Sequence, residues 1–408
     1  MGALYGAKIV QSDQVTQDGR LPRRPLSYLR ALPLRTRWNR SLSHSEGTLT
    51  GASRFIRAGD GMGGPHFRLH PAASFRSLLP SSLSVFNQRH PMPSPQVVVV
   101  GSYVQDLCFY CESFPRPGET LMATSQAGPG GKGSNQAVAA GRAGAPTLYV
   151  GAIGADAFGR DAKAFYKAEG IAAKWAVKQT QPTGSAAIMV NAEGQNEILV
   201  CLAANARLAK ADLPIKAIRE AEIVITQLEA NLTAAAAALK MARENDALTI
   251  LNPAPMRPDF KPAILKHVDI LIPNETEFVE LINRLRSDDE PPLTEAALLK
   301  LPPSQLHQLC GTFGVPVVII TLGQKGCFIS RADGYLTVPA FKVKPVDTTG
   351  AGDAFVGGFA AGLLENDGDL AAAVRHGCAV AALSVTKPGT ARSMPQASAV
   401  KRFLQKHS

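Results

Sequence analysis

The run Asp347-Thr-Thr-Gly-Ala-Gly-Asp353 sets a carboxylate at a tight Gly-containing turn, just ahead of the apolar, helix-like stretch 354–364. Backbone N–H groups at a helix N-terminus are unpaired and carry partial positive charge, so Gly350, Ala351 and Gly352 make a seat for an anion. A carboxylate opposes an anion there unless its task is to take a proton. Asp353 suits a base that activates a hydroxyl for attack on a phosphoryl group held by the turn. The structural alternative is a helix cap behind a Gly turn, and the run alone leaves both open.

Gly128-Pro-Gly-Gly-Lys-Gly-Ser-Asn-Gln136 is a second Gly-rich turn entering a helix. It is not a P-loop, because Gly133 rather than Ser or Thr follows Lys132. Gly130, Gly131 and Gly133 let the backbone approach a ligand, while Lys132 and Asn135 offer donors to hydroxyls, as a sugar requires. A structural helix entry explains the same residues. Asp106 and Glu229 each follow a strand-like run, where ligands collect in open α/β sheets, so both are candidates for polyol hydroxyls or plain turn acids. Asn274 and Glu277 share one helix face after the run 269–272. Glu277 suits the water shell of a phosphate-bound Mg²⁺, and a capping box is compatible with that role. Thr321-Leu322-Gly323-Gln324-Lys325-Gly326 is a further Gly turn after a strand, suited to nucleotide phosphates or ribose.

The elements that must position these groups follow from periodicity. Strands are predicted at 97–100, 148–153, 223–226, 248–251, 269–272 and 317–321. Helices are predicted at 134–143, 158–169, 231–244, 275–285, 304–313, 353–364, 369–385 and 396–405. Alternating strands and helices imply a parallel sheet covered on both faces. Residues 107–126 and 174–202 break the rhythm and read as antiparallel hairpins outside the main sheet, with lid strands drawn from about 104–126 and 174–202. Residues 286–304 read as a surface loop flanking a short helix.

The net charge of +10 is localised. Residues 1–95 hold 13 Lys and Arg against 4 acids, which leaves the body near neutral and gives no reason to expect a nucleic-acid partner. This Arg-, Ser- and Pro-rich extension is expected to be disordered and dispensable, with Met92 a natural start for the body; an organelle-targeting role is the alternative. No apolar run approaches the roughly 18–20 residues that span a bilayer, so no membrane partner is expected. The six cysteines are irregularly spaced, and Cys108-Phe-Tyr-Cys111 reads as two ordinary thiols rather than a metal or redox pair. The Gly pattern of a Rossmann dehydrogenase is absent after the first strand.

Six motifs, in order, resemble the PfkB-type carbohydrate kinase family, most closely its ribokinase branch. They are Gly130–Ala140, Gln227-Leu-Glu229, Asn252-Pro-Ala-Pro255, Pro273-Asn-Glu-Thr-Glu277, Ile320-Thr-Leu-Gly323 and Val346–Asp353. The resemblance covers 96–408 and nothing in 1–95. It implies a ribokinase-like three-layer α/β/α sandwich with a mostly parallel central sheet and a small antiparallel β-sheet lid. It further implies phosphorylation of D-ribose at the 5-hydroxyl by ATP, in the cytoplasm or nucleus, by a homodimer joined through its lids. Asp353 would be the base and Gly350, Ala351 and Gly352 the anion hole. Asp106, Gly130, Gly131, Lys132, Asn135, Glu229 and Asp353 would bind the sugar. Asn274, Thr321 to Gly326, Gly352, Asp353 and Cys378 would serve ATP, and Glu277 would act on Mg²⁺ through water. K⁺ would lie among Asp347, Thr349, Ser384, Lys387, Gly389 and Ser393. Two departures stand out: Val104 replaces an Asn of the bacterial sugar site, and Cys378 replaces a His near the adenine. A deoxyribose, ketohexose, sugar-acid or nucleoside kinase of the same fold, and a non-catalytic sugar-binding scaffold, are the competing expectations.

Overall fold

Short runs of β-branched residues, buried on both faces, build the centre of the molecule. A computed structural model describes residues 95–407 except Asp288; the expectations for residues 1–94 lie outside the described residues. The order begins β1 (Val97–Val100), β2 (Val104–Tyr110), β3 (Thr124–Gly130), α1 (Lys132–Arg142), β4 (Thr147–Gly154), α2 (Ala157–Glu169) and β5 (Ala172–Lys178). It continues with β6 (Gly184–Val190), β7 (Asn196–Cys201), α3 (Ile215–Glu220), β8 (Ile223–Thr226), α4 (Leu232–Arg243), β9 (Leu248–Leu251), β10 (Ile270–Leu271) and α5 (Glu275–Leu285). Next come α6 (Glu295–Leu298), α7 (Pro303–Gly311), β11 (Val317–Thr321), β12 (Cys327–Arg331) and β13 (Gly334–Val338). Helices α8 (Ala351–Glu365), α9 (Leu370–Ser384) and α10 (Ala397–Lys406) close the chain.

Nine strands form the main sheet in the order β13-β12-β11-β10-β9-β8-β1-β4-β5. Every neighbouring pair from β11 through β5 is parallel, and β12 and β13 add an antiparallel edge. Alternation along β1 sorts its side chains. Val97 and Val99 join the apolar layer of α1, α8 and α9, while Val98 and Val100 join the layer under α4. Helices thus cover both faces, giving three layers.

The second sheet, β3-β2-β6-β7, consists of two antiparallel hairpins joined by a parallel β2/β6 pairing. One expectation needs correction. Residues 174–178 were expected in the lid, but they lie in β5, which pairs in parallel with β4 at the edge of the main sheet. An edge strand with one exposed face has the same alternation as a lid strand, so periodicity does not separate them.

Helices α1 and α8 approach unusually closely. A Cβ at Gly357 would lie 2.4 Å from the Gln136 carbonyl oxygen and 2.6 Å from Ala139 Cβ. The helix faces meet through bare backbone at this point, and that contact brings the N-terminus of α8 beside the first turn of α1.

Candidate active site

Helix α8 begins at Gly350, whose φ of 76° is left-handed and costs a glycine nothing. One turn before Gly357, Asp353 is buried in the first turn of α8. Its Oδ2 accepts a hydrogen bond from Asn135 Nδ2 at 3.0 Å and its Oδ1 one from Gln136 Nε2 at 2.9 Å. Gln136 is held in turn, donating to Asn252 Oδ1 at 3.0 Å and accepting from Gln227 Nε2 at 2.6 Å. Asn252 is tied to the Ile272 carbonyl. The carboxylate is thus fixed by an amide network running from α1 across the ends of β8 and β9.

Lys132 lines a cavity of about 160 Å³ together with Asn252, Asn274, Glu277, Gly352 and Asp353. Burial works against its charge, but Asp353, Glu229 and Glu277 outweigh it and hold the ammonium pKa above the ordinary lysine value. Its backbone N–H donates to Glu229 Oε2 at 2.8 Å, and Ser102 Oγ donates to the same oxygen at 2.6 Å. Asn135 Oδ1 is buried with no hydrogen-bond partner among the described residues. An orphaned buried acceptor is costly, and a ligand hydroxyl there would satisfy it.

On one side of this junction a cavity of about 460 Å³ is walled by Asp106, Cys108, Tyr110, Ile188 and Val190 from the lid, and by Asp347, Thr349, Gly389, Thr390 and Arg392. Asp106 is pushed up to about 7, first by burial and then by the charges of Glu229 and Asp353, while a hydrogen bond from Thr390 pulls the other way. Gly130 faces it so closely that a Cβ would stand 2.0 Å from Asp106 Oδ2. Val104 packs with Ala186 and Ile188, two residues before Asp106 along the strand. The wall that β2 offers to this cavity therefore carries a single carboxyl group.

On the other side, a cavity of about 570 Å³ is lined by Thr321, Gly323, Gln324, Gly326, Cys327, Phe341, Val343, Gly352, Phe355 and Cys378. Its apolar wall suits a flat base, and the start of α8 faces its inner end. Leu322 and Lys325 fall outside its lining: Leu322 packs on the cluster around α5, and Lys325 is exposed. Cys378 Sγ lies 3.7 Å from Cys327 Sγ. Asn274 and Glu277 close a capping box on α5, Asn274 Oδ1 accepting from Glu277 N at 2.8 Å and Glu277 Oε2 from Asn274 N at 2.9 Å. Burial raises the Glu277 pKa, with the Asn274 bond and Lys132 opposing.

The turn before α8 is braced by Asp347, whose Oδ1 accepts from Thr349 N and Oδ2 from Gly389 N, both at 2.9 Å. Ser384 and Ser393 are buried beside it, their hydroxyls donating to the Ala381 and Thr390 carbonyls, and Lys387 is exposed. Sequence reading missed Ser102, Gln136, Gln227, the 340–345 wall and Thr390. Only Gln136 and Gln227 sat inside motifs that could have flagged them.

A βαβ-rich α/β core, a small sheet over one cavity and an acid at an anion-seating helix start define a sugar-kinase type of protein. The chain belongs to the pfkB family of carbohydrate kinases, whose model matches residues 94–397. A ribokinase of Haemophilus influenzae is 36% identical over 313 residues, covering 76% of this chain and 98% of that protein. A deoxyribokinase of Salmonella typhi is 33% identical over 312 residues, again covering 76% and 98%. Among solved structures, Arabidopsis thaliana ribokinase complexed with ribose and ATP matches with a TM-score of 0.66 at 31% identity, over 76% of this chain and 99% of that one.

Proposed function

We propose that this chain is an ATP-dependent sugar kinase that phosphorylates D-ribose at the 5-hydroxyl, giving D-ribose 5-phosphate and ADP. The observation that carries this reading is the Asp353 carboxylate, fixed by Asn135 and Gln136 and lining the small cavity it shares with Lys132, Glu277 and Gly352. Ribose spans the lid cavity, which of its proposed partners Asp106 alone lines, and the smaller cavity at Asp353, with Gly130, Gly131, Asn135 and Glu229 completing its hydrogen-bond partners. ATP lies on the other side against Asn274, Thr321, Gly323, Gln324, Gly326 and Cys378. Asp353 accepts the proton of the attacking hydroxyl, and the N–H groups of Gly350, Ala351 and Gly352 neutralise charge on the transferring phosphoryl. Lys132, set among Asp353 and Glu277, faces the phosphoryl as well as the sugar.

Glu277 and Asn274 offer the oxygen donors and room for water that Mg²⁺ needs, and the ion would supply charge neutralisation on the phosphates. One carboxylate, Asp347, with the carbonyls of the 384–393 loop is a hard-oxygen set that fits a monovalent cation such as K⁺, which would steady the anion-hole turn. The exposed residues Ile198, Leu199 and Val200 make the outer edge of the lid an apolar surface for a homodimer. The kinase activity is assigned to residues 96–408.

The test is phosphorylation of a sugar panel by the full chain and by residues 92–408 with MgATP, in KCl and in matched NaCl. Ribose is expected to be the preferred acceptor, faster in KCl, with both forms alike. A preference for deoxyribose, a hexose or a nucleoside would overturn the substrate assignment.

A further inference from the structure

Two thiols face each other in the wall of the nucleotide-side cavity. Cys327 opens β12 and Cys378 lies in the middle of α9, and their Sγ atoms are 3.7 Å apart although 51 positions separate them. Both line the cavity of about 570 Å³, and among the described residues no other cysteine does. Each is tightly backed. Gly326, just before Cys327, has a φ of 94°, and a Cβ there would stand 2.0 Å from the Val338 carbonyl oxygen. Gly377, just before Cys378, is pressed on α8, where a Cβ would meet the Phe355 carbonyl oxygen at 2.9 Å. Phe355 belongs to the same cavity wall, two residues beyond Asp353. The pair is thus held between two closely packed segments, at the wall of the space assigned to ATP.

We propose that Cys327 and Cys378 are a reversible oxidation site for small disulfides that enter the empty nucleotide cavity, so that the cross-link and the nucleotide oppose each other. The inference rests on the nucleotide reading of this cavity. The Cys327 thiol is held well above the ordinary range, first by its contact with Cys378 and then by burial, so it keeps its proton and Cys378 is the sulfur that attacks. Cys378 bonds to one sulfur of the small disulfide, whose S–S bond breaks, and the first half leaves as a thiol carrying the Cys378 proton. Cys327 then attacks the Cys378 sulfur of this mixed disulfide, and the second half leaves as a thiol carrying the Cys327 proton. Two protein thiols are oxidised and one disulfide is reduced to two thiols. A disulfide holds its sulfurs at about 2.05 Å, so the present gap must shrink by roughly 1.7 Å. With β12 braced at Gly326, that movement falls on α9 and its neighbour Phe355, and the apolar wall changes shape. A misfit comparable to one methylene in an apolar pocket weakens binding about tenfold or more. In the other direction, a bound base covers both sulfurs and keeps the oxidant out.

The experiment treats the full chain with hydroxyethyl disulfide, with and without ADP. Peptide mass spectrometry under non-reducing conditions should find a Cys327–Cys378 cross-link. Its formation should slow about tenfold with ADP at ten times its Kd, because the share of empty sites sets the rate. Calorimetry should show ADP bound about tenfold or more weakly by the oxidised protein, with full recovery in dithiothreitol. Cys327→Ala should trap the mixed disulfide on Cys378, and the double variant Cys327→Ala/Cys378→Ala should show the same ADP affinity before and after treatment. Cross-linking, protection and reversal are read on wild type, so the result does not hang on the variants folding. Oxidation that spares this pair, a cross-link that leaves ADP affinity unchanged, or a loss of affinity that persists in the double variant overturns the proposal. Absence of ADP binding by the reduced wild type instead removes the nucleotide reading of the cavity, and the proposal with it.

Discussion

The two sheets are built to different standards. The centre of the main sheet is buried on both faces, and helices α1 and α8 press against each other so closely that Gly357 has no room for a Cβ. The lid sheet holds one small apolar cluster, Val104, Ala186 and Ile188, and its outer strand β7 is exposed along its length. The proposed base belongs to the first region and Asp106 to the second. Chemistry needs a carboxylate fixed to within a fraction of an ångström, which close packing supplies. A sugar must enter and leave, which a lightly packed sheet permits.

If that division holds, the largest effect comes from the rigid side. Asp353→Asn keeps the shape but cannot take the proton, and kcat is expected to fall about 10²–10⁴-fold with ribose affinity in calorimetry little changed. Near-normal turnover would remove Asp353 from the role of base. Gln136→Leu strips one partner from the carboxylate and should lower kcat roughly 10- to 100-fold, the range for a hydrogen bond to a charged group. Gly357→Ala, one helical turn from Asp353, should cost about 1–3 kcal/mol in chemical denaturation by overpacking, and should slow turnover too. A loss of stability with unchanged kcat would separate packing from positioning.

On the lid side the effects should fall on binding. Asp106 is raised to about 7 by burial and by Glu229 and Asp353, with Thr390 opposing. In the proposed sugar site the charged form is the one that accepts hydroxyls, so protonation should weaken binding. KM for ribose should therefore rise as pH falls through about 7 and level off above it. A flat KM profile from pH 6 to 8 would contradict this. The smallest effect on catalysis is expected from Leu199→Asp, which should turn the proposed dimer into a monomer in analytical ultracentrifugation while leaving turnover near wild type.

The same contrast explains what the sequence disclosed. Buried parallel strands such as Val97–Val100 announce themselves as unbroken β-branched runs, and Gly turns ahead of helices mark the ligand side of the sheet. The acid at the α8 start was legible from the Gly turn beside it, and the capping box at Asn274 because its partner Glu277 lies three residues on. Gln136 was not singled out, since a Gln in a helix reads as surface until the α1–α8 contact turns it inward. Strand β5 was misplaced because its alternation fits either sheet. Thr390 gave no signal at all: its partner Asp106 is 284 positions away.

The missing Cβ at Gly357 also sets a limit on how this protein can change. Asp353 lies one helical turn from it on the same helix, so the spacing between α1 and α8 acts as a gauge for the position of the carboxylate. Substitutions that fill or loosen that crossing would be tolerated as folding variants yet read out as slow enzymes. Searches for a more stable form should therefore leave the Gln136–Ala140 and Asp353–Gly358 faces untouched and look to α4 and α7, which line none of the three cavities of the site.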